Sequence, residues 1–114
     1  MIDVNAMAEA ALSNLKWKVV YYHPNESIKL PCVSWYTISE KPKGSYDNNE
    51  WFSTATIVVD VWAKTPKKVG EIALEVNSVL NAEGWKRNWS MDVAPDDGVY
   101  RKSMRFSTMF RNTI

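Results

Sequence analysis

An α+β fold is predicted, with a mostly antiparallel sheet, two helices packed on it and the order α-β-β-β-α-β-β, and three observations predict it. The run WFSTATIVVDVWA at 51–63 alternates with period two over thirteen residues, as a long strand does. Directly after Lys64 the apolar spacing changes to the three- and four-residue steps of a helix. Beyond that helix, two further alternating runs flank a Pro-Asp-Asp-Gly turn, so strands follow the helix rather than alternate with further helices.

The first element is a short amphipathic helix. Asp3 or Asn5 stands near its cap, and Val4, Met7, Ala8, Ala11, Leu12 and Leu15 form a narrow, alanine-rich stripe that allows close approach to a sheet or a second helix. A short β-prone segment, KVVYY at 18–22, is broken by His23-Pro24-Asn25-Glu26-Ser27. Pro31 opens a second strand, CVSWYTISE at 32–40, with Trp35 on one face and Tyr36 on the other. The polar stretch 41–50 (KPKGSYDNNE), with Pro42 and Gly44, reads as a long loop whose one large side chain with apolar surface is Tyr46.

In the long third strand, Trp51, Ser53, Ala55, Ile57, Val59, Val61 and Ala63 make the side expected to meet the core. Phe52, Thr54, Thr56, Val58, Asp60 and Trp62 make a mixed side. Val58 and Trp62 are too apolar to face water unassisted, which predicts a cover over that side, a second subunit being one candidate. Thr65 then serves as N-cap and Pro66 as first helical residue, because a hydroxyl satisfies an open backbone N–H there and proline lacks one. Val69, Ile72, Ala73, Val76, Val79 and Leu80 form one apolar stripe, and Gly84 supplies the left-handed stop, with Trp85 folding back on Leu80 in a Schellman closure.

A fourth strand follows, in which Trp85, Arg87, Trp89, Met91 and Val93 alternate with Lys86, Asn88, Ser90 and Asp92. Pro95-Asp96-Asp97-Gly98 reads as a turn in which proline presets one angle and glycine takes a positive one. The last strand, VYRKSMRFSTMFR, puts Tyr100, Met104, Phe106 and Phe110 on an apolar side interrupted by Lys102. Its other side carries Arg101, Ser103, Arg105, Ser107 and Arg111.

The chain of 114 residues is read as a single domain, 1–114, with a modest core. Fourteen basic against thirteen acidic residues give a net charge of +1, which argues against holding nucleic acid by bulk charge. One cysteine, Cys32, excludes an internal disulfide and a cysteine-based zinc site. The opening MIDVNAMAEAAL has neither the basic start nor the apolar run of a signal peptide, and no segment reaches membrane-spanning length, so a soluble cytosolic product with no membrane contact is expected.

No catalytic motif stands out: there is no phosphate loop, dinucleotide fingerprint, paired-histidine zinc helix or nucleophile elbow. His23, in a polar break before proline, reads as an exposed loop histidine, and Cys32, in a strand, as a small buried hydrophobe. Asp92, Asp96 and Asp97 lack the spacing of a calcium loop. No enzyme activity, cofactor or metal is therefore expected. The weight falls on surfaces instead. Six tryptophans in so short a chain exceed what one small core readily hides, and aromatic excess at weak net charge favours a protein interface. Arg101, Arg105 and Arg111 share one side of the last strand, to meet phosphates or an acidic partner, or to pair with acids on neighbouring strands. Lys67 and Lys68 sit in a first helical turn, where the dipole disfavours them by about a few tenths of a kcal/mol each.

The run VSWYTISEKPKGSYDNNEWFSTATIVVDVWAKTPKKVGEIALEVNSVLNAEGW, followed by APDDGVYRKSMRFSTMF, resembles the small tail terminator, or tail completion and tail-to-head joining, proteins of long-tailed bacteriophages and prophages. The similarity lies in Asp60-Val61-Trp62-Ala63-Lys64, the helix after it, the Gly84-Trp85 exit, and Asp97-Gly98-Val99-Tyr100 leading to Lys102-Ser103-Met104-Arg105-Phe106. The resemblance implies a non-enzymatic virion part, assembled in the bacterial cytoplasm and residing at the tail or neck. Such proteins form a ring, typically a hexamer, on the end of the tail tube. The partners implied are further copies of the chain, the tail tube protein and the head-tail connector protein, with DNA passing through the ring without specific binding. A closed ring uses two different patches on each subunit.

The resemblance supplies no binding motif, so interface residues follow from exposure: Tyr46, Val58, Trp62, Lys67, Lys68, Arg101, Arg105 and Arg111, with the three arginines expected at a subunit boundary. Two alternatives stand beside the terminator: a head completion or neck connector protein, and a small nucleic-acid-binding α+β module presenting aromatics and arginines to a strand.

Overall fold

A computed structural model of the chain describes residues 3–25, 27–45 and 51–112. The elements follow the expected order: α1 (Val4–Leu12), β1 (Lys18–Tyr21), β2 (Cys32–Ser45), β3 (Trp51–Ala63), α2 (Pro66–Ala82), β4 (Lys86–Asp96) and β5 (Val99–Asn112). The five strands make one sheet in the order β1-β2-β3-β5-β4, antiparallel throughout except for the parallel pair β1–β2. None of the helices described is long and apolar enough to cross a membrane.

Both helices lie on one face of the sheet. Ala55, Ile57, Val59, Val61 and Ala63 of β3, with Met104 and Phe106 of β5 and Val33 and Trp35 of β2, share one core cluster with Val4, Ala8, Ala11 and Leu12 of α1. Val69, Ile72, Ala73, Val76 and Leu80 of α2 complete it. This is the side of β3 that its alternation assigned to the core. Lys102, the cation that interrupts the apolar side of β5, finds Asp92 directly across the β4–β5 ladder at 3.2 Å.

The helix ends form by the chemistry their residues dictate. Asp3, not Asn5, caps α1, accepting from the Ala6 N–H at 3.1 Å, and Asn5 instead accepts from the Thr37 hydroxyl. Leu15 lies beyond the end of α1 and packs against the core from the following turn. Thr65 caps α2 through the Lys68 N–H. At the other end, Trp85 N–H bonds Leu80 C=O at 2.9 Å and Gly84 N–H bonds Asn81 C=O at 3.1 Å, with Gly84 at φ +90°. These two bonds are the Schellman pair expected there, and they drop Trp85, 1% exposed, into the core.

The common side expected of Trp85, Arg87, Trp89, Met91 and Val93 is broken: β4 begins at Lys86, and a register shift between Arg87 and Trp89 sets Arg87 opposite Phe106 but Trp89 opposite Arg105. The structure corrects three further expectations. β2 does not stop at residue 40 but runs to Ser45, because β3 continues to Trp51 and offers it a partner; Pro42 is accommodated by a register shift before Gly44. Composition alone reads polar residues as loop, whereas backbone pairing asks only for a ladder. Secondly, β1 ends at Tyr21, since Tyr22 takes φ +76° and leaves the strand. Thirdly, Pro95 and Asp96 belong to β4, and the turn is the pair Asp97-Gly98, both at positive φ (+52° and +75°). Asp-Gly with two positive φ values is the two-residue hairpin whose twist matches its strands. Pro95 is tolerated because β4 is an edge strand beside a register shift.

The sheet outreaches its helices. Seventeen residues of α2 span about 26 Å, whereas thirteen residues of β3 span about 43 Å. β4 begins level with Ser107 and Thr56. Past that level β2, β3 and β5 continue as a three-stranded arm. Among the described residues, the outer edge of β2 beyond Trp35 and that of β5 beyond Ser107 have no strand partner.

Candidate functional site

The face of the sheet turned away from the helices gathers most of the chemistry. Cross-strand register sets it: β3 places Trp62 opposite Arg101, Asp60 opposite Ser103, Val58 opposite Arg105 and Phe52 opposite Arg111, and β4 adds Trp89 opposite Arg105. Each arginine of the row lies over an aromatic ring. Arg101 stands 4.7 Å from the Trp62 ring centre, Arg105 4.6 Å from that of Trp89, and Arg111 5.5 Å from that of Phe52. At these distances the ring quadrupole attracts the guanidinium by about 0.5–1 kcal/mol at exposed positions. The arginines thus meet aromatic partners, and Arg101 also meets an acid, its Nη1 lying 4.0 Å from Asp60 Oδ2.

Asp60 is an acid set into this face, and it is 4% exposed. Its Oδ1 and the Arg101 Nε are both buried without a hydrogen-bond partner among the described residues. Beside it the hydroxyl of Ser34 accepts from Trp62 Nε1 at 2.8 Å, which orients the indole across the ladder. Thr56 and Ser107 share a hydrogen bond of 2.8 Å, and Asn88 donates to Ser107 at 2.7 Å. Polar groups in the floor of the face are thereby tied to one another, leaving larger side chains to stand out.

Those side chains are unusually apolar for an uncovered surface. Trp89 is 38%, Met91 49% and Met109 57% exposed. Register places Lys18, Lys41 and Lys86 on the same side as the three arginines. At the end nearest the Asp97-Gly98 turn the face is partly covered by the chain itself. Residues 22–25 and 27–31, between β1 and β2, run past Trp62 and form with the turn a cavity of about 730 Å³ lined by Ile28, Leu30, Trp62, Val93, Val99 and Arg101 among others. His23 is exposed and stands edge-on to Tyr22, ring centres 4.9 Å apart, and to Trp62 at 6.4 Å, while Tyr22 stacks on Tyr36 at 5.0 Å.

Of the eight interface residues expected from the sequence, Val58, Trp62, Arg101, Arg105 and Arg111 come together here, with Val58 itself 5% exposed beneath its neighbours. Lys67 and Lys68 do not: they lie on the first turn of α2, in the helical layer. Lys67 is exposed. Lys68 is engaged within the molecule, 3.8 Å from Glu71 and 4.7 Å over the Trp17 ring. Tyr46 lies outside the described residues. The Trp17 indole donates to Glu75 at 2.6 Å, and this hydrogen bond, followed by the nearby Lys16, holds the Glu75 carboxyl below its ordinary value.

The remaining candidates are also placed. Cys32 is fully buried, and burial pushes its thiol up to about 11, so it is a thiol rather than a nucleophilic thiolate near neutral pH. Asp92 is taken by Lys102. Among the described residues no three metal-ligating side chains cluster. Of the six tryptophans, Trp35 and Trp85 enter the core, Trp17 packs half-buried against its edge, and Trp62 and Trp89 mark the uncovered face; the side chain of Trp51 lies outside the description.

Sequence reasoning missed Phe52, Asp60 and Trp89 as members of the arginine row. Alternation already put Phe52 and Asp60 on the mixed side of β3, but which arginine meets which ring depends on register. No protein family model matches the chain, and no curated protein matches it.

Proposed function

We propose that this chain is a non-enzymatic phage or prophage assembly protein that closes into a ring, ends the tail tube and joins tail to head. The observation that carries the reading is the uncovered sheet face, where exposed Trp89, Met91 and Met109 stand among Arg101, Arg105 and Arg111. Apolar and aromatic side chains mixed with arginine are the composition of a protein interface core. The three-stranded arm adds support: among the described residues, β2 beyond Trp35 and β5 at Thr108–Phe110 have no strand partner on their outer side, an edge that a neighbouring subunit or the tube can pair. The ring is a hexamer, its partners are the tail tube protein and the head-tail connector, and it resides in the virion after assembly in the bacterial cytoplasm. The arginines stand at subunit boundaries, so DNA passes through the ring without being held. A neck connector built as a ring would use the same face.

Single-stranded nucleic acid is the second reading, favoured by aromatics and arginines on one sheet face. The arginines weigh against it as well: each guanidinium lies on the ring face that a base would need for stacking. The test is the mass of the purified protein by light scattering over a range of concentrations, with electron microscopy of the largest species and titration with a labelled oligonucleotide. Closed rings of about six subunits, indifferent to the oligonucleotide, are expected. A chain that stays monomeric and binds the oligonucleotide in a salt-dependent way overturns the ring.

A further inference from the structure

We infer that the outer edge of β1, beside α1, takes up an extended segment of another protein as an added antiparallel strand, one with apolar residues at alternate positions and a lysine or arginine next in the alternation. The inference goes beyond the ring and does not rest on it. The backbone defines the edge. β1 is the terminal strand of the sheet, with Val19 beside Val33 and Tyr21 beside Trp35 of β2. The Tyr22 N–H bonds the Trp35 C=O at 2.8 Å. By the alternation of the ladder, Val20 and Tyr22 turn their amides to β2, and Val19 and Tyr21 turn theirs outward. Among the described residues no hydrogen bond meets those outward N–H and C=O groups. The group that matches their spacing is another extended backbone.

The side chains beside the edge define what that backbone carries. Val19 and Tyr21 stand on the helical side, where Val19 packs against the core and Tyr21 lies edge-on to Trp35, ring centres 5.1 Å apart. With Asn5, Glu9 and Ser13 along α1 they line a groove of about 490 Å³. In an antiparallel addition, the residues opposite Val19 and Tyr21 exchange both backbone bonds with them and set their own side chains into this groove. Two apolar residues separated by one therefore fit. Asn5 is engaged by Thr37, whereas Glu9 is exposed and has no ion pair among the described residues, so it selects a base. Other edges receive a strand less well. β2 beyond Trp35 has register shifts at Thr37/Ser39 and Pro42/Gly44, and β4 has shifts at Arg87/Trp89 and Val93/Asp96 with Pro95 between the last two. Such devices blunt an edge, and β1 has neither shift nor proline. A second copy does not supply the pattern either. Its open β5 stretch, Thr108–Phe110, offers Thr108 and Phe110 on one side and Met109 alone on the other.

The probe is the peptide acetyl-Ser-Val-Thr-Val-Thr-Lys-Ser-amide, titrated into the isotope-labelled protein and followed by nuclear magnetic resonance. Binding at submillimolar concentration is expected, with the largest shifts at the Val19 and Tyr21 amides. Val19→Pro deletes an outward N–H and leaves the β1–β2 ladder whole, so it is expected to weaken binding by about tenfold or more. On the unsubstituted chain, methylating the two valine nitrogens of the peptide, which face β1, is expected to abolish binding. Methylating the threonine nitrogens, which face away, is expected to leave it. Glu9→Lys is expected to weaken the peptide by about threefold and to favour a version with glutamate in place of lysine. No shift at millimolar peptide, or equal binding of the two methylated peptides, overturns strand addition. Indifference to Glu9→Lys overturns the requirement for a base. A Val19→Pro chain that loses the self-association of the unsubstituted chain in light scattering assigns the edge to a second copy and overturns the choice of partner, while the ring stands.

Discussion

Arg101 is held from two directions, by the Trp62 ring at 4.7 Å and by Asp60 at 4.0 Å, and among the described residues it is the cation paired with that buried carboxylate. A carboxylate this far from water costs several kcal/mol unless a charge or hydrogen bonds compensate. Removing the arginine therefore does more than lose a contact. Arg101→Met is expected to lower stability to urea by about 2 kcal/mol, less than for a fully buried pair because Arg101 keeps part of its side chain in water. Adding Asp60→Asn to that variant removes the stranded charge and recovers about 1 kcal/mol. Equal stability of the single and double variants would show that Asp60 does not depend on Arg101. At this scale the sequence showed which side of β5 each arginine occupies, because side-chain period belongs to one strand. It left open whether acids or rings would face them, because the partner lies on another strand and only register supplies it.

The clearest element is α2, whose residues name both of its ends. Gly84 and Gly70 make a paired test of that legibility. Gly84 sits at φ +90°, where a Cβ is strained although only the Thr108 hydroxyl lies near, at 4.0 Å; Gly84→Ala is expected to lower stability by about 1–2 kcal/mol. Gly70 is inside the helix with nothing within 4 Å of an added Cβ, so Gly70→Ala is expected to raise it by about 0.5–1 kcal/mol. Thermal unfolding reads both, and shifts of the same sign would contradict the assigned backbone. Elements without such local marks were less legible. Residues 41–45 look like loop because they are polar and contain Pro42 and Gly44, yet they pair with β3. Pro95 looks like a turn former, yet the turn needs the two positive φ values that Asp97 and Gly98 provide.

For the molecule as a whole, the distribution of charge matters more than its sum. A net charge of +1 argued from the sequence against bulk attraction to polyanions, and it conceals a sheet side rich in Lys and Arg, whereas the helical side mixes Glu9, Glu71, Glu75 and Glu83 with Lys16, Lys67 and Lys68. If the basic sheet face associates through its charge, salt must weaken the association. Raising ionic strength from about 0.1 M to 1 M shortens the screening length from about 10 Å to about 3 Å, and the average mass by light scattering is expected to fall across that range. A mass that rises with salt would mark the association as apolar and displace the charged pairing from its role.

What the sequence by itself determined is the part written in local rules: the order α-β-β-β-α-β-β, the core side of β3, the N-cap Thr65, the Gly84-Trp85 closure and the common side of Arg101, Arg105 and Arg111. Backbone period, capping and left-handed turns depend on residues a few positions apart, so one chain suffices to read them. Only the tertiary structure decided that Trp62, Trp89 and Phe52 lie under those arginines, that Asp60 is buried beside Arg101, and that Lys68 is engaged with Trp17 and Glu71. Apart from Lys68–Glu71, one turn apart on α2, each of those contacts joins different segments of the chain, and its geometry follows from how the elements are arranged in space, which no local pattern encodes.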